Sequence, residues 1–210
     1  FYLVDFATSA DGMFGIDRCD GNQCSGYMVM ENDFYGYSYP SIEEAIRVLT
    51  SHELFHGVQA AYNANQPVWM SEGMAVWAEH IFDPANLDFY AFCDAYLEDT
   101  GRSINRPPAG FTTAWSYGTA LFFAFLEAQH GIESMVSIQN KMLTKEGDRA
   151  VDAIVEMVEE NGSTIEQDWF TFAQWNLASG ERAGAAPSYL FATQIGGIYA
   201  EIEASLIEDE

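Results

Sequence analysis

From Pro40 onward, apolar residues recur at intervals of three and four, the spacing of helices that bury one face. Ile42, Ala45, Ile46 and Leu49 set the first such stripe, behind a Ser41–Glu44 capping box, and the helix is predicted to run to about Tyr62. Asn63-Ala64-Asn65-Gln66-Pro67 then turns the chain, and Ser71 is predicted to cap a second helix reaching about Phe82. Asp83-Pro84 opens a third, with Leu87, Tyr90, Ala91, Asp94 and Leu97 in step and Gly101 as its stop. Arg102–Gly110, with its Pro107-Pro108 pair, reads as a loop. The strongly apolar stretch from Thr113 to His130 reads as one helix ended by Gly131. Further helices fit Glu133–Leu143 and Asp148–Glu160, and Ser163–Glu166 forms a second capping box for a helix to about Leu177. Gly184–Glu210 fits no element clearly, and its last residues are expected to fray.

Before Pro40 the period changes to two. Phe1–Ala7 and Ser25–Glu31 alternate as strands do, with an acidic, Gly-rich stretch carrying Asp11, Asp17, Asp20 and Asn22 read as a loop between them. The expected class is α+β: a small N-terminal β-sheet with an edge strand, then a mainly helical body. Residues 1–40 hold sheet and loops, 41–180 the helices and 181–210 a C-terminal segment, all in one domain spanning 1–210.

Charge removes several functional classes. The chain carries 32 acidic residues against 8 basic ones, a formal charge of −24. Nucleic acid is therefore not an expected partner, because phosphate binding is built on Lys and Arg. An anionic membrane surface would repel such a protein, and no apolar run is long enough to insert into a bilayer. The acidity itself reads as a solvated surface suited to a salty medium. The acidic loop offers oxygen ligands of the kind Ca²⁺ takes, but it lacks the residue order of a calcium-binding loop, and a plain surface loop is the simpler reading.

Cys19 and Cys24 flank Asp20-Gly21-Asn22-Gln23, a spacing that a local disulfide can close; half of a metal site is the rival reading. Cys93 stands alone and reads as a small buried apolar residue. With no initiator Met and no targeting segment in the chain, a secreted or periplasmic location is expected.

Chemistry concentrates at His52-Glu53-Leu54-Phe55-His56, an H-E-x-x-H string late in the first helix. Residues four apart leave the same helix face, so both imidazoles can grip one ion, and Zn²⁺ is the ion such strings hold. Glu53 points about 100° round the helix, off the metal and towards the water that would be activated. A third protein ligand is then required. The metzincin pattern would need Gly at 59 and His at 62, and the chain has Gln59 and Tyr62.

Downstream, Trp69-Met70-Ser71-Glu72-Gly73-Met74-Ala75 supplies Trp-x-x-Glu-Gly-x-Ala. This segment resembles the third-ligand helix of gluzincin metallopeptidases, the group of thermolysin and aminopeptidase N. The resemblance implies Glu72 as third ligand, in the first turn of its helix. Glu79 lies two turns along the same face, where the resemblance also suggests a glutamate supporting a ligand imidazole. Tyr117, in Trp115-Ser116-Tyr117-Gly118, is implied as the oxyanion donor, although the family form is Tyr-x-x-Gly. His80 and His130 are the other candidates for that task, and structural roles suit both better. Gluzincins dock an extended peptide on a strand preceding the zinc helix, which implies Gly26, Tyr27, Met28 and Val29 as substrate-binding residues on an edge strand. Met30-Glu31-Asn32 echoes an aminopeptidase amine-binding segment, and its different spacing makes the echo a coincidence. The resemblance spans roughly Ser25 to Gly131.

The expected function is zinc-dependent hydrolysis of peptide or protein substrates, with Glu53 as general base. Two alternatives remain open at this level: a zinc hydrolase acting on another substrate, and a non-catalytic module that keeps zinc for stability.

Overall fold

A computed structural model of the chain describes residues 1–7, 9–145, 149–184 and 187–196. Three strands come first: β1 (Tyr2–Val4), β2 (Gly12–Asp20) and β3 (Gln23–Glu31), in the order β1-β3-β2. β1 runs parallel to β3, and β2 forms an antiparallel hairpin with it, closed through Gly21 at φ +60°. The fold class is α+β, as the periodicities predict.

Two expectations about the sheet need correction. The acidic stretch read as a loop is strand β2; Asp17 and Asp20 lie within it, and the calcium reading loses its loop. Among the described residues, the one group of His, Cys or acidic side chains able to hold an ion lies elsewhere. β3 is the central strand and not the edge, since β2 and β1 flank it. Cys19 and Cys24 sit directly opposite each other across the hairpin and are disulfide-bonded, with Cα atoms 4.1 Å apart. Cys93 is free and fully buried.

Eight helices follow among the described residues: α1 (Ile42–Asn63), α2 (Val68–Phe82), α3 (Leu87–Leu97), α4 (Ala114–Gly118), α5 (Ala120–His130), α6 (Glu133–Met142), α7 (Ala150–Glu160) and α8 (Ile165–Leu177). The Ser41 side chain accepts the Glu44 N–H, so α1 starts where its capping box places it. α2 starts three residues before Ser71, directly behind Pro67, so Glu72 stands in its second turn and not its first. Ser71 instead donates to Val68 O. α3 starts at Leu87 under an Asn86 cap, not at Asp83-Pro84.

The apolar stretch expected as one helix is two, interrupted at Thr119, whose hydroxyl donates to Trp69 O. α8 is capped by Thr164 and not Ser163, whose hydroxyl goes to Asp168. Of the C-terminal segment, short helical turns occupy Gly180–Arg182 and Ala192–Gln194. The expected fraying beyond 196 lies outside the described residues.

The main core gathers around α5, which is buried on every side from Ala120 to Leu126. Aromatic rings from α2 and α8 meet it, with Trp69 stacked on Phe123 and Phe172 against both Phe122 and Phe125. Fully burying such side chains stabilises by roughly 1.5–3 kcal/mol each. A smaller cluster of Met30, Phe34, Ala45 and Leu49 fastens the sheet to α1. Thus α1 is held between the sheet and the helical body, and that position fixes everything its polar face carries.

Candidate metal centre

α1 and α2 pack against each other through contacts such as Phe55 on Trp77, with ring centroids 6.0 Å apart. Across this junction His52, His56 and Glu72 converge. The three edges of the donor triangle are 3.0 Å (His52 Nε2 to His56 Nε2), 3.2 Å (His52 Nε2 to Glu72 Oε2) and 3.4 Å (His56 Nε2 to Glu72 Oε2). Tetrahedral zinc with bonds of about 2.0–2.1 Å sets its ligand atoms about 3.3–3.4 Å apart, so the triangle already has nearly the right size.

The proton bookkeeping points the same way. His52 Nδ1 donates to Glu79 Oε1 at 2.5 Å, and Asn86 holds the other Glu79 oxygen at 3.0 Å. His56 Nδ1 lies 2.8 Å from Gln59 Oε1, a carbonyl that can only accept, while Gln59 Nε2 donates to Ser71 O. Each ring is therefore held with its first proton on Nδ1 and its Nε2 turned inward. Two inward nitrogens and a carboxylate form a set that could hold a metal ion. Burial pulls the His52 pKa down, but its hydrogen bonds to Glu72 and Glu79 outweigh this and push it up to about 10. Burial likewise raises the Glu72 carboxyl, and the two histidines outweigh it, holding it at about 2.

Glu53 lies off the triangle with only 5% of its surface exposed, and its Oε2 is buried without a hydrogen-bond partner. Burial raises its pKa, the His52 and His56 charges opposing. Room for this carboxylate comes from Gly12: a Cβ there would sit 3.0 Å from Glu53 Oε1. Gly57 similarly admits the Phe14 ring, letting β2 lie close over α1. Gly73, the residue after Glu72, has no space for any side chain, because a Cβ would fall 2.1 Å from Thr119 Oγ1.

The group faces a cleft of about 480 Å³. Tyr117 lines it, stacked on Phe92 with its ring 6.0 Å from His52, and burial keeps its hydroxyl a weaker acid than free tyrosine. None of Gly26, Tyr27, Met28 and Val29 lines the cleft. The strand that does is β2, through Gly12, Met13 and Phe14, because β2 is the sheet edge on that side. Glu31 is spent elsewhere, accepting the backbone N–H groups of Phe6 and Asn32. His80 stacks on Phe89 and lines a separate cavity, and His130 pairs with Asp168.

Sequence reasoning missed Gln59, Asn86, Asp11, Tyr39 and Asp88 as parts of this region. Gln59 carried a usable signal, standing three residues after His56 on the same helix face. The chain matches no family model, no curated protein and no solved structure.

Proposed function

We propose that the chain is a zinc-dependent peptide hydrolase of the gluzincin type, with a zincin-like fold, in which His52, His56 and Glu72 hold the metal and Glu53 carries the proton. The observation that supports this most is the orphaned Glu53 Oε2, a buried carboxylate oxygen with no partner beside three converging donor atoms. A purely structural zinc site closes its coordination with protein and has no use for such a group. Two imidazoles and one carboxylate suit zinc better than the all-oxygen sets that calcium or magnesium take.

When bound, zinc would supply Lewis-acid polarisation of a water and of the substrate carbonyl. Glu53, its basicity raised by burial, takes the proton of that water and later gives it to the departing amine. Glu79 and Gln59 hold the two imidazoles in orientation. Tyr117, kept protonated, offers its hydroxyl to the developing oxyanion. The edge of β2 presents main-chain groups along the cleft, the arrangement by which an extended peptide adds to a sheet. The Cys19–Cys24 disulfide supports an oxidising, extracytoplasmic location.

The test is Glu53→Gln, which keeps the shape and removes the base. Zinc content by elemental analysis and the melting temperature should match wild type, while turnover of a quenched peptide library falls by roughly 10²–10⁴-fold. Turnover preserved in the variant, or wild-type protein that takes up no transition metal, would end this reading.

A further inference from the structure

We propose that the helical body holds a second ligand site, an aromatic cavity that takes a small organic cation of the quaternary or N-methylated ammonium type. This does not rest on the peptidase reading. The cavity has a volume of about 720 Å³ and shares no lining residue with the metal-centre cleft. Five rings form its wall: His80 on α2, Tyr90 on α3, Trp175 on α8, and Tyr189 and Phe191 in the segment that follows. They make one continuous band, with the centroids of neighbouring rings 5.1 to 5.9 Å apart. Trp175 stands at 89° to Tyr189 and His80 at 76° to Phe191, so the wall turns corners instead of lying in one plane. Burial lowers the His80 pKa and its Nδ1 has no hydrogen-bond partner, so this ring stays neutral and meets a cation as an aromatic surface.

One charge lines the cavity among the described residues, and it is negative. Glu127 on α5 accepts the Trp77 indole N–H through Oε2 at 3.3 Å, and its carboxylate has no ion pair among the described residues. Trp77 stands one turn before His80 on α2, so this bond sets the carboxylate beside the ring band. A neutral apolar ligand would cover the half-buried carboxylate without compensating it, and an anion would be repelled. A metal ion or a bare ammonium would give up more hydration than one carboxylate returns. N-methyl groups answer both features, because they spread the positive charge over an apolar surface that ring faces attract. The volume exceeds that of the cationic head alone, and Ser188 and Gln194 offer a hydroxyl and an amide to a short polar substituent on it.

The experiment titrates the full chain by isothermal calorimetry with choline and with its neutral tert-butyl isostere, in which carbon replaces the ammonium nitrogen. Choline should bind at least ~10-fold more tightly than the isostere. Glu127→Gln, whose amide oxygen can still accept the Trp77 bond, should weaken choline by ~10-fold and leave the isostere unchanged. Tyr90→Leu, which removes one ring of the wall, should weaken choline by ~3–10-fold. The Glu127→Gln arm keeps the test decisive if the ring variant folds poorly. Equal binding of choline and the isostere would overturn the inference, as would binding of neither, or choline affinity that survives Glu127→Gln unchanged. Phosphatidylcholine vesicles bound where free choline is not would overturn the assignment to a small solute.

Discussion

Two histidines in this molecule meet a buried carboxylate at the same distance. In the α1–α2 junction His52 Nδ1 is 2.5 Å from Glu79, and in the helical body His130 Nε2 is 2.5 Å from Asp168. Their surroundings differ. Asp168 spends its second oxygen on Ser163, just before α8. His52 turns its second nitrogen towards His56 and Glu72, where three donors converge on one point. A histidine–carboxylate pair is therefore no mark of a functional centre. What distinguishes the His52 region is that its second nitrogen lies against two further donor atoms, His56 Nε2 and Glu72 Oε2.

Substitutions on the two sides can break this contrast. The largest difference should be between His52→Ala and His130→Ala. The first removes a corner of the triangle and should abolish zinc binding in equilibrium dialysis; the second should keep full zinc while lowering stability by about 1–3 kcal/mol, because Asp168 loses a buried partner. Equal zinc loss in both would erase the distinction. Next is Glu79→Gln, which keeps a hydrogen bond to His52 but removes the charge. Competition with a fluorescent chelator should give zinc affinity weakened by ~10–100-fold, whereas Asp168→Asn should leave it unchanged.

The smallest effect should come from Gly12→Ala, a methyl placed against Glu53 from the sheet side. Since displacing the Glu53 carboxylate leaves the three ligands alone, turnover should fall by roughly 10-fold with zinc affinity unaltered. A drop in affinity would mean that β2 also supports the ligands.

How far the sequence foretold these regions follows from the kind of signal each element carries. α1 was legible because its capping box and the i, i+4 histidines are both local. β2 was not, because most of its positions are exposed and its glycines and aspartates erase the alternation that announces a strand. The two cysteines around Asp20-Gly21-Asn22-Gln23 held the hairpin signal, yet closing a disulfide and opposing each other in a ladder are separate statements from the same spacing. Reading the chain before β3 as a loop then made β3 an edge strand, which put the expected peptide-docking strand one strand away from the cleft. The place of Glu72 in the donor group was legible only through resemblance, since neither periodicity nor capping separates it from any other helical glutamate. The break at Thr119 and the need for Gly73 are tertiary facts, arising where α2 presses on the α4–α5 junction.

Gln59 spans α1 and α2, one end of its amide on His56 and the other on the Ser71 carbonyl beside Glu72. A clasp of this kind would let folding proceed apart from any metal uptake. Zinc-finger domains collapse around their ion and unravel in chelator. Here side chains of the scaffold join the two helices, so chelator-treated protein should still melt in one cooperative transition, and zinc added back should bind with second-order kinetics and no lag for refolding.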